Sequence, residues 1–206
     1  MVGGAYTSDP LGLPGNSAKR FSNALFYNSP ELNGFQINAT LGAREANNNT
    51  AFIGRGTAAA PQYAANAPGQ INPFSIATTY RNGPAALLLA FERNAVEHTV
   101  KSVAGYVRVT PETKVMASLS YQDQSHTRLL NQDTRAWLVG ANHTLGANKI
   151  LAGYGQKQVD GLDKVKQFSL GYEYSLSRRS YVYVDMSNQK GTTGINHYSL
   201  GVHHSF

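Results

Sequence analysis

Apolar residues recur along this chain with a period of two. In "FSLGYEYSLS", Phe168, Leu170, Tyr172, Tyr174 and Leu176 fall on one parity; Ser169, Gly171, Glu173 and Ser175 fall on the other. In "KVMASLSYQDQ", Val115, Ala117, Leu119 and Tyr121 share a face. In "FQINATLG", Phe35, Ile37, Ala39 and Leu41 oppose Gln36, Asn38 and Thr40. The final run "HYSLGVHHSF" keeps the pattern to its last residue, with Tyr198, Leu200, Val202, His204 and Phe206 on one side. Successive strand side chains point to opposite faces, so each run predicts a strand with one large apolar face and one small polar face. Roughly eleven such runs of about 8–12 residues follow one another, long enough to cross a bilayer when tilted. Two runs leave their face open. Residues 86–93 are apolar on both sides at the centre, and in 100–109 either Tyr106 or the set Val103, Val107 and Val109 takes the apolar side.

The connections alternate as well. "SPELNG", "NGPA", "TPET", "LGAN" and "SLSRR" are tight, and the others are longer and polar, above all residues 46–73, rich in Asn, Ala, Gly and Pro. Tight turns at one end and longer loops at the other mark an up-and-down membrane barrel. A soluble sandwich alternates too, but its outward face is polar. Strand number decides the sense of the pattern. Eleven long strands enclose a space too wide for Ser, Gly, Gln and Thr to fill, whereas those residues suit a wet lumen. The fold class expected is therefore all-β, a transmembrane antiparallel up-and-down β-barrel with its apolar face to lipid. Single-chain bacterial barrels have even strand numbers, and lipid satisfies no open sheet edge. The eleven strands are thus expected to be part of a larger barrel, with the front missing, and to form no stable pore alone.

Composition narrows the classes. The chain has 206 residues and no cysteine, so disulfides and thiolate metal sites are excluded. Mean hydropathy is −0.34 and no run approaches the ~18–20 apolar residues of a membrane helix, which excludes a helical span but not a barrel. A net charge of +6 points to an anionic partner. Nucleic acid is not expected, because the basic residues are scattered over strand ends and turns instead of clustering among aromatics. The opening "MVGGAYTSDPLGLPG" lacks a charged and apolar leader, which leaves a cytoplasmic protein, a mature chain or a chain cut at its front.

Candidate chemistry is sparse. No nucleophile elbow, phosphate-binding loop or zinc-protease motif occurs, so neither an enzyme nor a cofactor is expected. His203 and His204 face opposite ways on a strand, and His197 lies roughly 20 Å from His203. Asp160 and Asp163 lack calcium-loop spacing, and no metal is expected. A channel selects by lumen charge and width. Arg20, Arg44, Arg81 and Lys114 stand on the polar parity as candidates to line a pore, with Glu92, Glu173 and Asp185 opposing them, which predicts a mild anion preference. The alternative is a barrel with an adhesive or structural role, or a hydrolytic one using His143 and a nearby serine.

Several stretches resemble the trimeric general diffusion porins of Gram-negative bacteria, of the betaproteobacterial type. "RFSNALFYNSPELNGF" resembles the family's Arg-x-x-Asn-x-x-x-Tyr-x-Ser-Pro-x-x-x-Gly-Phe segment after the constriction loop. "FSLGYEYSLSRRSYVY" resembles its Leu-Gly-Tyr-x-Tyr-x-Leu-Ser-Lys-Arg-Thr stretch, with Ser180 for the Thr, and "LGVHHSF" its closing segment. The resemblance implies a sixteen-stranded outer-membrane barrel that passes small hydrophilic solutes and anions. This chain would supply about the last eleven strands. Residues 1–19 would be the tail of the constriction loop, 46–73 an extracellular loop, and 1–206 one partial barrel domain. Arg20 would sit where that loop joins the wall. Phe26 stands where members often carry a basic residue, so no constriction charge carries over there. The resemblance further implies a homotrimer when full length, contact with outer-membrane lipid and lipopolysaccharide, and recognition of the terminal Phe206 by the barrel-assembly machinery.

Overall fold

Residues rich in aromatic and β-branched side chains alternate with small polar ones, and at every second connection a segment pairs with the next through a turn too short to allow anything but antiparallel neighbours. In a computed structural model, the described residues are 23–43, 51–52, 63–64, 71–93, 99–123, 133–191 and 194–206. The strands are β1 (Ala24–Asn28), β2 (Phe35–Gly42), β3 (Ala51–Phe52), β4 (Tyr63–Ala64), β5 (Phe74–Asn82), β6 (Ala85–Arg93) and β7 (Thr99–Arg108). They continue as β8 (Thr113–Asp123), β9 (Thr134–Leu145), β10 (Asn148–Val159), β11 (Val165–Ser175), β12 (Ser180–Lys190) and β13 (Ile195–His204). One 11-stranded sheet runs β1-β2-β5-β6-β7-β8-β9-β10-β11-β12-β13, every pair antiparallel and consecutive apart from the excursion between β2 and β5. The strands and their up-and-down order are those expected from the sequence. The short hairpin β3–β4, inside the stretch read as one loop, was not expected. No helix of the described residues is long and apolar enough to cross a membrane, which has no bearing on crossing by strands.

The tight turns are built by specific residues. At β9–β10, Gly146 (φ 60) takes the first central position of a two-residue turn, where a positive φ is needed. Thr110 Oγ1 accepts from the backbone N–H of Glu112 (3.3 Å) and Thr113 (3.1 Å), closing β7–β8. Ser177 Oγ does the same for Arg179 (3.1 Å) and Ser180 (3.0 Å) at β11–β12. At β1–β2, Asn33 (φ 51) and Gly34 (φ 83) turn the chain, and Arg81 N–H donates to Gly34 O at 2.8 Å. A Cβ at Gly34 would lie 2.1 Å from the Arg81 carbonyl oxygen, so this glycine is demanded by space as well as by φ.

The two faces invert the order of a soluble sheet. Gln167 (3% exposed) and Asp185 (6%) are buried, while Leu119 (59%) and Phe168 (47%) are exposed. A single sheet has no second layer to bury anything, so the polar side is the crowded, inward-curving one and the apolar side is the outward one. Register settles the two open runs. Lys101, Val103, Gly105 and Val107 face outward beside Tyr121, Leu119, Ala117 and Val115, which turns Tyr106 inward. In β6, Leu87, Leu89 and Phe91 face outward and Ala86, Leu88, Ala90 and Glu92 inward. Outward aromatics gather at both strand ends. Phe35 and Tyr80 meet at 4.3 Å near the tight turns, and Phe74–Phe91 and Trp137–Tyr154 meet at 5.6 Å near the loops. These are the girdles of a bilayer-spanning barrel.

Gly34→Ala should lower the urea midpoint of the folded protein more than Gly83→Ala. Gly83 also has a positive φ (52) but open space around it, so its cost is the backbone strain alone, about 1–2 kcal/mol. Equal midpoints for the two variants would contradict the close approach at Gly34.

Candidate functional site

The polar face carries the chemistry. Its centre is a trough of about 400 Å³ across β8 to β12. Glycines make the floor: Gly140 faces Gly153 directly across β9–β10, and Gly155 and Gly171 extend it. Lys114, Lys149, Gln167 and Asp185 stand around it. At Gly171 a Cβ would come within 2.6 Å of Asp185 Oδ1, so a side chain there would displace the Asp185 carboxylate.

Charge is distributed unevenly on this face. Lys149 Nζ donates to Glu173 Oε2 at 2.8 Å, with Glu173 nearly buried, so these two charges cancel locally. Arg108 stands directly opposite Lys114 across β7–β8. Like charges in cross-strand register weaken a sheet, and here the compensation is aromatic: Lys114 Nζ lies 5.3 Å from the centre of the Tyr106 ring. Strand pairing alone gives no reason to put two cations together.

The sequence candidates fare differently. Lys114 lies on the polar face at the rim of the trough. Arg81 shares that face, but its Nη1 pairs with Glu31 Oε2 at 2.9 Å, both side chains half exposed. Arg81 therefore presents a near-neutral pair instead of a lone cation. Arg20 and Arg44 lie outside the described residues. Glu92, Glu173 and Asp185 all face inward, as their parity implied. Phe206 is fully exposed beyond β13, edge-on to His204 at 5.0 Å. Arg108 and Lys149 were missed. Lys149 was legible from "NKILAGYG", where Ile150, Ala152 and Tyr154 claim the outward side; Arg108 fell in the run whose face the pattern left open. His143, the one histidine considered for hydrolysis, faces outward, its Nδ1 2.9 Å from Thr113 Oγ1. Among the described residues no cluster of three or more His, Cys, Asp or Glu could hold a metal.

The profile of the Gram-negative porin family matches residues 1–194. No curated protein matches the chain. Among solved structures, an anion-selective porin from Comamonas acidovorans superposes with a TM-score of 0.70 at 15% identity, over 90% of this chain and 60% of that one. A loop-deletion mutant of OmpT, an outer membrane protein of Vibrio cholerae, gives 0.72 at 15% identity, over 99% and 69%. A further porin gives 0.67 at 16% identity, over 89% and 61%. The chain thus spans about 60% of the length of the first of these. With a family match over nearly its whole length and a single inverted sheet, this chain belongs to the Gram-negative porins, β-barrel proteins of the outer membrane.

Lys149→Ala should destabilise the folded protein by about 1–3 kcal/mol, because it strands the nearly buried Glu173 carboxylate. Lys149→Ala combined with Glu173→Gln should recover most of the loss in urea titrations. A double variant no better than the single one would contradict the pairing.

Proposed function

We propose that this chain forms the greater part of the wall of a water-filled channel for passive diffusion of small hydrophilic solutes, with a mild preference for anions. It performs no covalent chemistry. The observation that carries the reading is the inversion of the sheet: Gln167, Ser169, Glu173 and Asp185 buried on the inner side, Leu119, Phe168 and Val184 exposed on the outer. A sheet so arranged is soluble in neither water nor lipid alone. It is at home only with lipid outside and water within.

Anion preference rests on the inner cations. Arg108 and Lys114 reinforce one another, whereas Lys149 and Arg81 are each matched by an acid. A unit charge at 4 Å is worth about 1 kcal/mol in water, or about fivefold in ion occupancy. Two such cations offset by Glu92 and Asp185 give a bias and not a filter. Arg20, where the constriction loop would meet the wall, and Arg44, on the polar parity at the end of β2, are proposed to add to it. The anion-selective Comamonas acidovorans porin among the structural neighbours agrees with this sign.

The sheet has two edges, β1 and β13, not paired with each other among the described residues. Lipid cannot satisfy their backbone groups, so further strands are proposed to close the barrel, to sixteen in all. The working unit is proposed to be a homotrimer, with Phe206 as the signal read by the barrel-assembly machinery and lipopolysaccharide as the surrounding outer-leaflet lipid.

The full-length protein in a planar bilayer should show ohmic conductance and, in a salt gradient, a reversal potential favouring the anion. Arg108→Ser with Lys114→Ser should move that potential toward the cation. An assembled protein that insulates, or a wild type selective for cations, would overturn the reading.

A further inference from the structure

We propose that the trough on the inner face is a subsite for hydroxylated aromatic carboxylates, with Lys114 holding the carboxylate, the floor at Gly140 and Gly153 taking the ring, and Gln167 accepting from the hydroxyl. The inference rests on the porin reading and deepens it, from small hydrophilic solutes in general to one class that the wall retains.

Register lays one inward row across five strands. Tyr106 stands opposite Met116, Met116 opposite Gly140, Gly140 opposite Gly153, and Gly153 opposite Ser169. At the centre of this row two neighbouring strands carry no side chain. The next inward residues to either side are leucines, Leu151 toward the tight turns on β10 and Leu138 toward the loops on β9, and both line the trough. The result is a slot with a peptide floor and aliphatic walls. It takes a flat ring and offers that ring no hydrogen bond, because strand peptides are engaged in the ladder.

Packing does not account for the bare floor. A Cβ at Gly153 would meet nothing nearer than the Val139 carbonyl oxygen at 3.8 Å, an ordinary contact, and the φ of Gly153 is not positive. Glycine inside a strand weakens it and marks places where a ligand or another backbone comes close.

The two ends of the slot carry polar groups in need of partners. Gln167 lines the trough and is 3% exposed. Its Nε2 donates to Ser169 Oγ at 3.1 Å, while its buried Oε1 accepts from nothing among the described residues. A buried carbonyl oxygen in that state is a place for a donor. At the other end Lys114 leans along the row, its Nζ 5.3 Å from the Tyr106 ring centre, and it makes no ion pair among the described residues. Lys149, the second cation at the trough, is held by Glu173 at 2.8 Å. Asp185 borders the trough on the Gln167 side, opposite Gly171, so the field along the slot turns a carboxylate toward Lys114. By strand spacing and rise, the Cα atoms of Lys114 and Gln167 lie roughly 20 Å apart, and the reach of the two side chains leaves the length of one ring with a substituent at each end.

A small inorganic anion would use Lys114 and nothing else of the slot. A sugar would set its hydroxyls against leucines and an engaged floor. A hydroxylated aromatic carboxylate matches the cation, the slot and the unpaired acceptor together.

The test uses the full-length protein in a planar bilayer, with single-channel current recorded on adding 4-hydroxybenzoate, benzoate, 4-hydroxybenzyl alcohol or acetate. 4-Hydroxybenzoate should block at a concentration about fivefold lower than benzoate does, as expected for one buried hydrogen bond. Acetate and the alcohol should not block at these concentrations. Gly153→Leu, which fills the slot, should weaken the block about tenfold or more. Lys114→Gln should weaken it about fivefold. Gln167→Leu should leave 4-hydroxybenzoate and benzoate blocking alike. Thr79→Leu, which adds a leucine elsewhere on the inner face, should be blocked as the wild type is. If Gly153→Leu does not assemble, Gly153→Ala, for which there is room, is read instead, with a weaker block expected. Block by acetate or the alcohol equal to that by 4-hydroxybenzoate, or a block undiminished by the Gly153 variants, overturns the proposal. The current without solute tests the porin reading separately: an insulating protein fails that reading, while a conducting one that 4-hydroxybenzoate does not block fails only this proposal.

Discussion

Hydrocarbon offers no donor or acceptor to a peptide group, and everything else in this molecule follows from that. Each strand must find its backbone partners in its neighbours, along its full length. The answer here is the simplest available: strands laid side by side in chain order, β1 and β2 followed by β5 to β13, with tight turns at one end. The turns then carry unusual responsibility. Gly34 approaches the Arg81 carbonyl oxygen closely enough to exclude any side chain, and the Thr110 and Ser177 hydroxyls accept from turn N–H groups. The same constraint makes the free edges of β1 and β13 the most demanding places in the structure.

Once the ladder is fixed, the alternation of side chains assigns environments without further instruction. Large apolar residues go to the outside because there they replace water with lipid; small and polar residues go inside because nothing large is needed to fill a wet space. Aromatics settle at strand ends, where a ring can be apolar at one edge and polar at the other. Tyr172, whose Oη donates to Asn148 Oδ1 at 2.6 Å beside the β9–β10 turn, shows this in one residue. Charges stand on the inner face as an ion pair at Lys149–Glu173 and as like charges side by side at Arg108–Lys114.

Most of the wall was legible in the sequence, because period two is a direct report of face. β8 and β11 could be assigned residue by residue. What stayed open did so for physical reasons. In β6, leucines occupy both parities at the centre, and pattern cannot choose between Leu87 and Leu88. In β7, an inward tyrosine and an outward lysine both violate the simple code; Tyr106 is turned inward under Lys114, and Lys101 is turned outward at the loop end. Ion pairs were invisible too. That Glu31 neutralises Arg81 depends on a turn bringing residues from β1–β2 and β5 together, which no local pattern records. Arg20 and Arg44 fall outside the described residues.

The central claim is the direction of the two faces, and the absence of cysteine makes it directly testable. Single cysteines would be placed in the full-length protein at Ser118, Leu119 and Ser120 of β8 and at Gln167, Phe168, Ser169 and Leu170 of β11. The protein in lipid vesicles would then be treated with a charged thiol reagent that does not enter hydrocarbon. Modification at 118, 120, 167 and 169, with 119, 168 and 170 spared, is the result expected of water on the polar face and lipid on the apolar one. Modification in the opposite phase, or at every position alike, would contradict it.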